Sequence, residues 1–119
     1  MMIRTGDMRT RLAALALGLT LLPGAAAADT ARGAALYRAA CAMCHGSRLE
    51  GNFQTPALTG RFVANWAGAP VAELEDYVQR AMPLMAPGTL SPEDTKAIVA
   101  FLLEANAIPR GRTVRIRPG

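Results

Sequence analysis

Both cysteines and the only histidine of this 119-residue chain fall within five residues, Cys41-Ala42-Met43-Cys44-His45. Any chemistry that uses thiols or imidazole therefore has to happen there, and no site can draw on two histidines. A zinc site needs four ligands, and this chain offers three contiguous ones with no second cluster. A thioredoxin-like redox pair belongs beside a βαβ pattern, whereas the flanks here are helical in period. A single structural disulfide is the plain alternative in an oxidising compartment. The spacing C-x-x-C-H is that of c-type haem attachment. Two thiols about one helical turn apart can each add to a vinyl group of one porphyrin, and the adjoining His45 is close enough to ligate its iron.

The compartment is read from the N-terminus. Arg4, Arg9 and Arg11 precede an eleven-residue apolar run, Leu12 to Leu22, which Pro23 and Gly24 break ahead of Ala25–Ala28. A basic start, a short apolar core and an A-x-A pattern make a secretory signal peptide, residues 1–28, cleaved between Ala28 and Asp29. The run falls short of the roughly 18 residues a membrane span requires, so an uncleaved anchor is the weaker reading. The expected location is the periplasm, with no membrane span after cleavage. Removing residues 1–28 leaves 91, a single domain small enough to gain from a bound cofactor.

Export also changes what the charge means. Residues 29–109 carry six basic and eight acidic side chains, while Arg110, Arg112, Arg115 and Arg117 crowd the last ten positions. The net charge of +4 is therefore an effect of the two ends and does not describe a nucleic-acid surface. Residues 110–119 read as a flexible basic tail.

Helical period runs through the rest. Ala34, Tyr37, Cys41 and Cys44 recur at helical spacing over 30–44, as do Val71, Leu74, Val78 and Ala81 over 70–81. A third helix opens with Ser91 as N-cap, Pro92 at the first position and Asp94 at the third. Its core face is Ala97, Ile98, Phe101, Leu102 and Ala105, and Pro109 stops it. Residues 46–65 and 82–90, rich in Gly and Pro, read as loop. No strand pattern precedes the tail, so the fold class is all-α.

With Gly33 and Tyr37 ahead of the C-x-x-C-H motif, then Pro56-Ala57-Leu58, Trp66, Met82-Pro83 and a final helix, residues 30–109 resemble a class I, mono-haem c-type cytochrome. The stretch from Met82 through Pro87-Gly88 to Leu90-Ser91 is similar to periplasmic cytochromes that serve quinoprotein or molybdenum dehydrogenases. Near absence of lysine, Lys96 alone, departs from lysine-ringed mitochondrial relatives. The resemblance implies a cytochrome c domain over 29–109, with three main helices and loops wrapped around one covalent haem c. It implies that Gly33 and Tyr37 let the first helix cross the last near Phe101 and Leu102. It implies Cys41 and Cys44 as attachment sites, His45 as an iron ligand, and the Pro56 carbonyl as acceptor of the other His45 ring N–H. It also implies that Trp66 donates to a haem propionate, although a core tryptophan fits the residue equally well. Arg61 is a weaker propionate candidate, and Phe53 and Phe62 fit packing on the porphyrin or under the loop.

For the sixth iron position the remaining methionines are Met43, Met82 and Met85 once the signal is removed. Met43 lies on the proximal side, inside the motif. Met82 is preferred over Met85 because Pro83 biases it to an extended conformation, and because Met-Pro is the order in the resembling cytochromes. His/Met ligation leaves no open position for a substrate. The expected function is thus electron transfer, not enzymatic turnover, between a dehydrogenase donor and an oxidase or another cytochrome. The alternatives are the cytochrome subunit of a dehydrogenase complex, or a five-coordinate haem sensor or peroxidase-like protein. N-terminal sequencing of the periplasmic form should begin at Asp29; recovery of the intact chain in the membrane would make the segment an anchor instead.

Overall fold

The computed structural model describes residues 24–116; the signal segment before Gly24 lies outside them. Five helices make up the described residues: α1 (Ala25–Ala40), α2 (Ala42–His45), α3 (Arg61–Trp66), α4 (Val71–Ala81) and α5 (Pro92–Ala105). No helix among them is long and apolar enough to cross a membrane. The all-α expectation holds. Among the described residues the only extended pairing is an isolated antiparallel bridge between Pro70 and Thr113.

The last helix is the axis of the domain. Its start is locally encoded: Ser91 Oγ accepts from the Asp94 N–H at 3.1 Å, Pro92 occupies the first turn, and Glu93 and Asp94 face the positive helix end. Ile98 and Leu102 pack with Tyr37 and Leu49 on one side, while Val99 and Leu103 pack with Leu74, Val78 and Ile108 on the other. α5 is thus buried on two sides, a wider face than the single stripe expected for it. Leu74 and Val99 are wholly inaccessible, and burying such a side chain contributes about 2 kcal/mol. Phe62 packs against both groups and spans the gap between them.

α1 crosses α5 at Gly33. A Cβ there would stand 1.9 Å from the Ala97 carbonyl oxygen, so only glycine permits this approach. One turn further on, Tyr37 is 1% exposed and its ring lies 5.3 Å from that of Phe101. The crossing expected near Phe101 and Leu102 is therefore present. It is tied at its edges by the ion pair of Arg32 with Asp94 and by Thr30 Oγ1 donating to Glu104 at 2.9 Å.

Three local expectations are corrected. α1 begins at Ala25, not near Thr30, and it breaks at Cys41, whose φ of −123° leaves the helical range. The loop assigned to 46–65 contains α3, six residues and so too short to show a periodicity. The tail assigned as flexible from Arg110 is docked over residues 112–114. Val71 N donates to Arg112 O at 2.8 Å, Val114 N to Ala69 O at 2.9 Å, and Gly68 N to Val114 O at 2.9 Å. Val114 is 1% exposed and completes the cluster of Leu74, Val99 and Ile108. One buried valine in a basic segment carries too little pattern to be read, and its burial depends on a remote cluster.

Gly33→Ala should destabilise the fold by about 1–3 kcal/mol through overpacking, seen as a lowered denaturation midpoint. Val114→Ala should cost about 2 kcal/mol, whereas Arg115→Ala, at an exposed neighbour, should leave the midpoint unchanged. Equal and negligible effects of the two tail substitutions would restore the flexible-tail reading.

Candidate haem site

The motif sits at the end of α1, where the break at Cys41 starts a new short helix. Cys44 N and His45 N both donate to Cys41 O, at 3.2 and 2.9 Å, and Gly46 N donates to Ala42 O at 2.8 Å. This turn holds Cys41, Cys44 and His45 together in space as in sequence. Gly46 ends it with φ of +88°, a conformation that side chains rarely adopt. Tyr37, buried in the α1–α5 crossing, donates its O–H to Gly46 O at 2.6 Å. The helix crossing therefore reaches the far end of the motif through one phenol. Burial, and then the neighbouring Cys41 thiol and Glu50 carboxylate, push Tyr37 up to about 12, so the phenol keeps its proton across the physiological range.

Cys41 is half-buried and Cys44 is exposed, both as free thiols. Burial first, and Cys44 second, push the Cys41 thiol up. His45 Nδ1 lies 2.9 Å from Pro56 O. A carbonyl oxygen can only accept, so Nδ1 carries the proton and the lone pair of the neutral ring is at Nε2. Among the described residues no three His, Cys, Asp or Glu side chains converge on a point that could hold a bare metal ion. That geometry disfavours a zinc site at the motif.

The donor set fits a covalently attached haem. Two thiols held one turn apart and an imidazole whose Nε2 is left free by the Pro56 contact are what such a group requires. Met43 in the motif is 87% exposed, Phe53 in the loop to Pro56 is fully exposed, and Leu84 and Met85 beyond Met82 are 79% and 92% exposed.

Met82 caps α4 in an extended conformation, φ −124° and ψ 154°, as expected before a proline. It is partly buried against the cluster of Leu74, Val78 and Val99, whereas Met85 points into solvent. Cys41 and Ala42 of the motif pack on the Tyr37 cluster, so the motif and Met82 belong to the two different sides of α5. Trp66 is half-buried on the same cluster as Met82, its ring 5.5 Å from that of the exposed Tyr77. Arg61 is exposed at the start of α3, Phe53 has no packing partner in the core, and Phe62 is the residue between the two clusters.

Two polar residues with no role in the sequence reading organise the loops. Gln79 accepts from Thr95 Oγ1 at 2.8 Å and donates through Nε2 to Leu90 O, so it fastens the Met82–Leu90 loop to α4 and α5. Asn52 holds the loop between the motif and Pro56 through bonds to Cys44, Gln54 and Thr55. Neither lies in a pattern; each acts on main-chain groups that only the fold brings within reach.

Residues 28–102 match the family described as cytochrome C oxidase, cbb3-type, subunit III. A comparison with curated proteins found no match. Among solved structures, the sulfane dehydrogenase SoxCD from Paracoccus pantotrophus is similar, at 36% identity and a TM-score of 0.57. The similarity covers 72% of this chain and 47% of that one, so this chain spans about half the length of its structural relative. On the family match, with the helical fold and the C-x-x-C-H turn beneath it, the chain belongs to the c-type cytochromes of the cbb3-type subunit III family.

Proposed function

We propose that this is a periplasmic electron-transfer protein with one covalently attached haem c, carrying single electrons between a dehydrogenase and a respiratory acceptor. The observation that carries the reading is the His45 Nδ1–Pro56 O contact of 2.9 Å beside the two free thiols. It fixes the ring tautomer that leaves Nε2 able to ligate, the arrangement metal-bound histidines use. When bound, haem c supplies a one-electron iron couple.

The residues divide the work. Cys41 and Cys44 form the thioether links, and the turn that joins them keeps His45 on the same side. Pro56 accepts from His45 and has no N–H of its own to satisfy. Met82 would be the second protein ligand to the iron, a soft donor that raises the reduction potential, and Pro83 restricts where it can move. Met85 is the alternative. Trp66 would give its indole N–H to a propionate. A haem held by both His45 and Met82 would supply a one-electron couple with no position left for substrate, so the domain would act as a carrier and not as an enzyme.

The similarity to part of a sulfane dehydrogenase favours one variant of this reading, in which the domain is the cytochrome subunit of a dehydrogenase complex. The donor is then a fixed neighbour and the acceptor a diffusing oxidase or cytochrome. Redox encounters of the free kind are small and weak, so co-purification with a dehydrogenase separates the two.

Protein matured by a cytochrome c assembly system should keep its haem through acid-acetone extraction, and extractable haem would overturn the reading. Met82→Ala should abolish the weak red thioether–iron absorption of the oxidised protein, lower the potential and admit carbon monoxide. Met85→Ala should leave the spectrum unchanged. The reverse pattern moves the role to Met85, and no response from either variant favours the five-coordinate sensor or peroxidase reading.

A further inference from the structure

Resting on that reading of His45, we propose that Asn52 is a positioning residue that fixes the Pro56 carbonyl against the histidine ring and so tunes the potential of the haem iron. The carboxamide is used at both ends. Its Oδ1 accepts from Gln54 N and from Thr55 N, each at 2.8 Å, and its Nδ2 donates to Cys44 O at 3.3 Å. Its own main-chain N–H donates to Thr55 O at 2.8 Å. One residue thereby closes the turn 52–55 and ties it to the helix that carries Cys44 and His45.

Pro56 follows Thr55 directly, so the turn that Asn52 closes sets where the Pro56 carbonyl points. The neighbouring backbone leaves little alternative path. Gly51 N donates to His45 O at 2.7 Å, and Gly51 has φ of +64° with Thr55 O only 2.5 Å from where a Cβ would be. The Gly51 bond and this close approach hold the loop backbone against the motif, and the Asn52 side chain adds the tie between the motif and residues 54 and 55. Among the described residues Asn52 is the only side chain that bonds both to the motif and to the residue preceding Pro56.

The orientation of the carboxamide is determined by its partners. Two amide N–H groups face one end and a carbonyl faces the other, so oxygen and nitrogen cannot be exchanged without losing all three bonds. Only asparagine meets both demands at this length. Aspartate would keep the two bonds at Oδ1 and set a second acceptor against Cys44 O. Alanine would lose every side-chain bond.

The chemical consequence runs through His45. A firm Nδ1–H···O bond raises the basicity of the ligating ring and favours the oxidised iron. Loosening the Pro56 carbonyl weakens that bond and raises the potential.

The test uses the haem-loaded protein, with Asn52→Asp, Asn52→Ala and the exposed neighbour Gln54→Ala as control. Potential is read by spectroelectrochemical titration, and exchange of the His45 Nδ1 proton by NMR of the reduced form. Both Asn52 variants should speed that exchange about tenfold, the equivalent of one hydrogen bond, and Asn52→Ala should also raise the potential; the carboxylate of Asn52→Asp itself favours the oxidised iron, so that variant is read by exchange. Gln54→Ala should do neither. Asn52→Asp keeps the turn bonds, so it reports on the tie to Cys44 even where the alanine variant folds poorly. Unchanged exchange in haem-loaded Asn52→Asp, or unchanged potential in haem-loaded Asn52→Ala, with or without a fall in thermal stability, would reduce Asn52 to a loop former and overturn the inference alone. Wild-type protein that takes up no covalent haem would instead overturn the functional reading, and this inference with it.

Discussion

The contact between Gly33 and the Ala97 carbonyl is the point on which the rest of the structure turns. Only a residue without a side chain lets α1 lie this close to α5. That closeness buries Tyr37, and the buried phenol reaches Gly46 at the end of the motif turn. The motif is thereby positioned from the core outward. Its thiols and imidazole are presented from a short helix whose two ends are both held, one by the continuous chain of α1 and the other by the phenol.

Around that crossing, α5 divides the interior in two. The motif, Tyr37, Leu49 and Leu58 belong to one side, and Met82, Trp66 and the α4 residues to the other. A cofactor bound covalently at the first side and ligated from the second would span the division. Phe62 already touches both clusters. The fold without its cofactor is two half-cores sharing one helix, which explains why so small a domain benefits from a third body between them.

What the sequence discloses here is what depends on neighbours in the chain. The start of α5 is legible because Ser91, Pro92 and Asp94 act on one another within a single turn. The C-x-x-C-H turn is legible because its chemistry needs that spacing, and the α4 stripe because Leu74 and Val78 repeat at helical period. Illegible features depend on contacts made at a distance or on too few residues. α3 is shorter than two turns, and Val114 is buried only because Leu74 and Val99 are there to receive it. Asn52 and Gln79 are ordinary surface types by composition, and their significance lies in carbonyls that loops bring to them. Trp66 is intermediate: its place in the core follows from its size, whereas a polar partner for its indole is not encoded in any spacing.

Val114 also makes the two halves unequal in how much chain they need. The cluster it completes contains Leu74, Val78 and Val99, and it reaches them through the backbone bonds that tie residues 112–114 to residues 68–71. The other half, with Tyr37, Leu49 and Cys41, is drawn from residues 36–102 and asks nothing of the tail. A chain cut short before Val114 would lose the closure of the half that holds Met82 while the half that holds Cys41 kept its packing. The basic tail is thus a structural part of one half of the domain and a bystander to the other.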